Sequence, residues 1–199
     1  VNVVGNYRIR EGRVEDCSAI AYMINEASED AVNYLLKDSK SDKSPITLLA
    51  EQLANEVHYS YANTLIAEIE QDLPMAMALS FPASGLILDE SLLQNYSASK
   101  KQYLKYFCDN RINDSWHLDA IYVATKYRHL GLGQKLLGEV KQRARYYKFP
   151  TLQVFVFGSN KAAVQFYQRN DFIIDREIQV DAHEFLKHKH KLLRMRCEL

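Results

Sequence analysis

The residues Arg128-His129-Leu130-Gly131-Leu132-Gly133 carry the plainest chemistry in the chain. Glycines at 131 and 133 have no Cβ, so a bulky anion can come close to the backbone. Arg128 and Lys135 add positive charge. From Leu132 the apolar residues Leu136, Leu137, Val140 and Ala144 follow at helical spacing. The loop therefore opens a helix. The first N–H groups of a helix lack an intrahelical acceptor, and the peptide dipoles put partial positive charge beside them. Such a junction is a cradle for a pyrophosphate.

A strand must deliver the chain to that cradle. Trp116–Val123 (WHLDAIYV) has the β-branched and aromatic content of one, and Ala124–Tyr127 reads as the turn after it. Strict alternation predicts that His117, Asp119 and Ile121 share one face, and Leu118, Ala120 and Tyr122 the other. Earlier, Tyr7–Arg10 reads as a strand. A helix follows from Glu15, with Ile20, Met23, Ile24 and Ala27 on one face and Asp16 near its start. Residues 28–57 form a second helical region, broken near Asp38–Pro45 by a Ser/Asp/Lys cluster, with Ser44-Pro45 starting a new helix. Thr64–Glu70 and Pro74–Phe81 are two strands of a hairpin turning at Gln71-Asp72-Leu73. Residues 83–115 form an ordered excursion near the substrate side. In it Leu86–Leu93 fits strand or helix, and Ser97–Phe107 has helical spacing. Thr151–Phe157 is a strand, Lys161–Arg169 a short helix, and Phe172–Val180 and Lys191–Cys197 are closing strands linked by 181–190.

Composition narrows the classes. With 25 basic and 25 acidic residues in 199, there is no electrostatic case for nucleic-acid binding. Cys17, Cys108 and Cys197 are far apart and odd in number, which argues against a disulfide framework and for a reducing, cytoplasmic setting. No apolar run reaches membrane-spanning length, so no membrane partner is expected. The 187–191 run (KHKHK), with His183 nearby, reads as an exposed basic arm in preference to a metal site, and no metal is expected. Thirteen tyrosines are scattered along the chain.

The loop lacks the Gly-Lys-Ser/Thr of a P-loop, since Gln134-Lys135-Leu136 follows Gly133. It also lacks the third glycine of a dinucleotide fingerprint, where Leu136 stands. Its Arg-x-x-Gly-x-Gly pattern, with Val123 and Tyr127 before it, resembles the acyl-CoA loop of the GNAT (Gcn5-related N-acetyltransferase) superfamily. A second segment carries the same resemblance: Asn160, Ala163, Phe166, Tyr167 and Phe172 match that family's N-x-x-A-x-x-[FL]-Y-x-x-x-G-F. Asp171 departs from it at the usual glycine. Asn and Asp are the next residues to tolerate φ > 0, so the same turn is expected there. The opening IRE…EDCSAIAYMI is similar to the first strand and helix of many such proteins.

The resemblance implies an α/β fold: one GNAT-like domain over 1–199, with a mixed, twisted sheet of six or seven strands and helices on both faces. It implies N-acetyl transfer from acetyl-CoA, as co-substrate, to a primary amine of a small molecule or peptide, directly and in a ternary complex. A non-catalytic acyl-CoA-binding or regulatory protein of the same fold is the alternative. By resemblance, backbone of Ile121, Tyr122 and Val123 would pair with the pantetheine arm, and Arg128, His129, Leu130, Gly131, Leu132, Gly133 and Gln134 would hold the pyrophosphate. Asn160 would bond the pantetheine arm, or serve as a helix N-cap. Tyr167 matches the family's frequent acid position, and a neutral phenol can protonate a departing thiolate; packing on the sheet is the other role open to it. A base must also accept the amine's proton. Asp119, among apolar neighbours, is the first candidate, acting through water with a raised pKa; orienting a cationic acceptor is its alternative role. His117 is a weaker choice, and Glu68 and Glu70 are further candidates. Homodimers are common in the family, and no sequence feature decides for or against one.

Overall fold

The computed structural model describes residues 7–28, 31–37, 41–69, 73–87, 96–180 and 191–199. Seven strands form one mixed sheet: β1 (Tyr7–Glu11), β2 (Thr64–Ile69), β3 (Leu73–Pro82), β4 (Trp116–Val123), β5 (Thr151–Phe157), β6 (Ile173–Gln179) and β7 (Lys191–Glu198). Their order is β1-β2-β3-β4-β5-β7-β6. All neighbours are antiparallel except β4 and β5, which run parallel. The helices are α1 (Cys17–Ala27), α2 (Ala31–Leu36), α3 (Pro45–Asn55), α4 (Ala98–Asp109), α5 (Leu132–Tyr146) and α6 (Lys161–Gln168). Among the described residues no helix is long and apolar enough to cross a membrane.

Local signals explain where the helices start. Ser44 Oγ accepts from the Thr47 N–H ahead of Pro45, and Ser97 Oγ accepts from the Lys100 N–H. One face of the β1–β4 half of the sheet is covered by α1 and α3, through Ile20, Ile24, Leu49 and Leu53 against Ile66, Met77, Leu79 and Phe81. The opposite face carries α5, whose Leu136, Leu137, Val140 and Ala144 pack on Leu118, Leu152, Val154 and Met195. Over the β5–β7–β6 half, α4 brings Tyr106 and Phe107 against Ile178, Leu192, Phe155 and Phe157.

Two details differ from the sequence reading. Leu73 lies in β3, not in the turn before it, and residues 70–72, including Glu70, lie outside the described residues. More consequentially, strict alternation fails in β4. Leu79 pairs with Ala120 but Ser80 pairs with Leu118, so Asp119 is an extra residue with no partner on β3. This β-bulge resets the pleat. Leu118, Ile121 and Val123 all pack toward α5, whereas Ala120 and Tyr122 pack toward α1 and α3. Ile121 therefore does not share the face of His117. The stretch 86–93, read as strand or helix, and the arm at 181–190 fall mainly or wholly outside the described residues.

Candidate active site

The bulge sits where the sheet opens. The parallel strands β4 and β5 pair only from Trp116 to Leu118 against Leu152 to Val154. Beyond Leu118 the side of β4 that faces β5 has no strand paired to it among the described residues. A cleft of about 1810 Å³ fills this notch. It runs from the loop before α5, past β4, to α6 and α4.

At the loop end, Gly131 is the N-cap of α5 with φ 79°, a left-handed conformation that favours glycine. A Cβ there would meet nothing within 4 Å, so backbone conformation alone demands this glycine. Gly133 is different. Its φ is ordinary, and a Cβ would lie 3.5 Å from the Phe166 ring and 3.7 Å from Val123, so the position tolerates a methyl but fills toward the cleft. The first bond of the helix ladder is Lys135 N–H to Gly131 O, 3.0 Å. The N–H groups of Leu132, Gly133 and Gln134 precede it and are free of the ladder. Arg128 is anchored by its Nε, which donates to Val123 O at 2.9 Å, and its guanidinium lies 5.8 Å from the Tyr122 ring centroid. Every residue expected to hold acetyl-CoA lines the cleft except Leu130, which is exposed beside it.

At α6, the Asn160 Oδ1 accepts from the Ala163 N–H at 3.0 Å, so the N-cap role is filled while the residue also lines the cleft. Asp171 has φ 71°, the conformation expected where the family pattern has glycine. Tyr167 is buried, with its ring 5.2 Å from those of Phe166 and Phe172, and it reaches the cleft. Burial, reinforced by the charge of Asp119, pushes its phenol well above the usual tyrosine range. It is therefore a neutral O–H donor at any working pH.

The bulge turns Asp119 to the cleft, where its side chain is 24 % exposed. His117 Nε2 lies 3.6 Å from Asp119 Oδ1. The imidazole itself is buried between Phe81 and Phe155, and its Nδ1 has no hydrogen-bond partner among the described residues. Glu68 has a different role from the one considered for it. It is 1 % exposed and bound by the Nε atoms of Arg8 and Arg10, and Arg10 also clasps Asp16. That network ties β1 to β2 and to the start of α1, away from the cleft.

Two tyrosines that the sequence left unassigned join the site. Tyr59 and Tyr103 both feel the charge of the Asp119 carboxylate. Burial first, and then Asp119, raises both phenols above their ordinary value. Their signal was the unusual tyrosine content, but nothing local marked which of the thirteen would converge.

The segment 95–172 matches the family described as Acetyltransferase (GNAT) family. No curated protein sequence matches the chain. Among solved structures, one described as an acetyltransferase is 25% identical, with 96% of this chain and 98% of that chain covered and a TM-score of 0.67. An N-acetyltransferase from Staphylococcus aureus Mu50 is 17% identical over 95% of this chain and 99% of that one, TM-score 0.69. The yncA protein from Salmonella typhimurium, solved with its cofactor acetyl-CoA, is 17% identical over 98% and 95%, TM-score 0.57. The segment around the glycine loop is thus similar to the GNAT acetyltransferase family, and the fold that carries it is shared with solved acetyltransferases.

Proposed function

We propose that the chain, acting as one acetyltransferase domain, moves an acetyl group from acetyl-CoA to a primary amine by direct transfer in a ternary complex. One observation carries this reading: the notch between β4 and β5 joins a helix N-terminus with free N–H groups to a carboxylate and a neutral phenol. The loop fits a diphosphate, because Gly131 and Gly133 leave its backbone open and Arg128 is held beside it. The free edge of Ile121, Tyr122 and Val123 fits an amide-bearing arm.

Acetyl-CoA would supply the activated thioester and its thiol leaving group. Asp119 accepts the proton of the incoming ammonium, directly or through water, freeing the nitrogen lone pair. Tyr167 donates its proton to the departing sulfur. Asp119 raises the cost of ionising Tyr167, which keeps the acid charged with its proton until it is needed. Covalent catalysis by Cys108 has little support, although it lines the cleft: burial pushes its thiol up, and a thiol is a poor nucleophile. The three free cysteines suit a cytoplasmic setting.

The test is Gly133→Leu. It is expected to abolish calorimetric binding of acetyl-CoA while the circular dichroism and melting of the free protein stay close to wild type. Unaltered binding would refute the cradle.

A further inference from the structure

We propose that the acceptor is a primary monoamine on an aromatic body, held with its ammonium against Asp119 beside a run of aromatic side chains. This rests on the acetyl-transfer reading above. The aromatic side chains form one unbroken run. Tyr103 meets Phe107 at 5.2 Å, Phe107 meets Phe155 at 5.3 Å, Phe155 meets His117 at 5.8 Å, His117 meets Phe81 at 5.5 Å, and Phe81 meets Tyr59 at 6.3 Å. Tyr103 and Tyr59 stand at the two ends of this run, and both feel the charge of Asp119. All of these contacts are edge-to-face or tilted, and Tyr59, Phe81, Tyr103, Phe107 and Phe155 line the cleft, with His117 buried behind them.

Five separate parts of the fold supply the run: the segment before β2, then β3, β4, β5 and α4. Such convergence is not required for packing a sheet, and three of its members, Tyr59, Tyr103 and His117, bear on one carboxylate, Asp119. Among the described residues lining the cleft, the remaining carboxylates Glu26, Glu51 and Glu56 are exposed. An ammonium is attracted both by Asp119 and by aromatic faces, and the attraction grows with desolvation. A second cation on the acceptor has a poor outlook. Just beyond Tyr103, Lys100 places its ammonium 5.7 Å from the Tyr34 ring centroid and donates to Leu35 O at 3.1 Å. Its charge repels a second ammonium at that end of the cleft. Diamines and polyamines are therefore disfavoured, and a flat apolar body is favoured.

The bonding balances. The ammonium gives one proton to Asp119, which passes it to water. As the C–N bond forms and the thioester C–S bond breaks, the nitrogen's second proton replaces the one that Tyr167 gives to sulfur. The products are the N-acetylated amine and the free thiol.

The experiment measures thiol release from acetyl-CoA by the full chain with 2-phenylethylamine, butylamine, putrescine and spermidine. The expected kcat/KM for 2-phenylethylamine is at least tenfold above each of the others. In Phe107→Leu, the preference for 2-phenylethylamine over butylamine is expected to shrink at least threefold. Acetyl-CoA binding that is intact by calorimetry, with putrescine or spermidine preferred or with 2-phenylethylamine inert, overturns the aromatic pocket and spares the transfer reading. An undiminished preference in a folded Phe107→Leu also overturns it. Loss of acetyl-CoA binding in wild type would remove both; the wild-type series decides even if the variant does not fold.

Discussion

Tyr167 shows how one side chain can serve packing and chemistry together. It belongs to the cluster under α5 and α6, yet its hydroxyl end borders the cleft near Asp119. Replacing it with phenylalanine keeps the ring and removes only the proton. Turnover should fall at least tenfold with acetyl-CoA affinity nearly unchanged, as read by thiol-release kinetics and calorimetry. Asp16 offers a contrasting case, in which charge serves stability alone. Hydrogen bonds from Arg10, opposed by burial and helped by the Arg13 N–H, hold its carboxyl below the usual range. A depressed carboxyl contributes stability above its unfolded pKa and loses it as pH falls through the folded value. Asp16→Asn should therefore cost about 1.5–3 kcal/mol at pH 7, the range for hydrogen bonds to charged groups. Urea midpoints measured down to pH 3 should show the gap between variant and wild type closing.

At the scale of elements, the loop and its helix were legible because their signals are local. Glycines, an arginine and a helical repeat all sit within twenty or so residues. The left-handed turn at Asp171 was legible for the same reason. The β4 bulge was not. Whether one strand carries an extra residue depends on its register against β3, which no residue in WHLDAIYV announces. Glu68 was misjudged in the same way: its partners Arg8 and Arg10 come from a strand far earlier in the sequence. The aromatic run was illegible because its members meet only in the folded chain. Gly131 allows the loop to be tested as an element. At φ 79°, alanine costs about 1–2 kcal/mol even though space is free. Gly131→Ala should lower the urea midpoint accordingly and weaken acetyl-CoA binding, whereas Gly133→Ala should leave the midpoint almost unchanged.

For the whole molecule, the expected ligand bridges both halves of the sheet, so its effect should be global. At one hundred times its Kd, acetyl-CoA should add about 2.7 kcal/mol to stability. For a chain of this size that is a rise in Tm of roughly 5–10 °C. Differential scanning fluorimetry should register it in wild type and find none in Gly133→Leu.

The sheet crosses its own middle on three residue pairs, Trp116–Leu118 against Leu152–Val154. It is thus closer to two leaves on a short spine than to a single board. A bound arm lying in the gutter would act as a splint. Amide hydrogens on β6, none of whose residues lines the cleft, should then exchange with deuterium more slowly once the splint is in place.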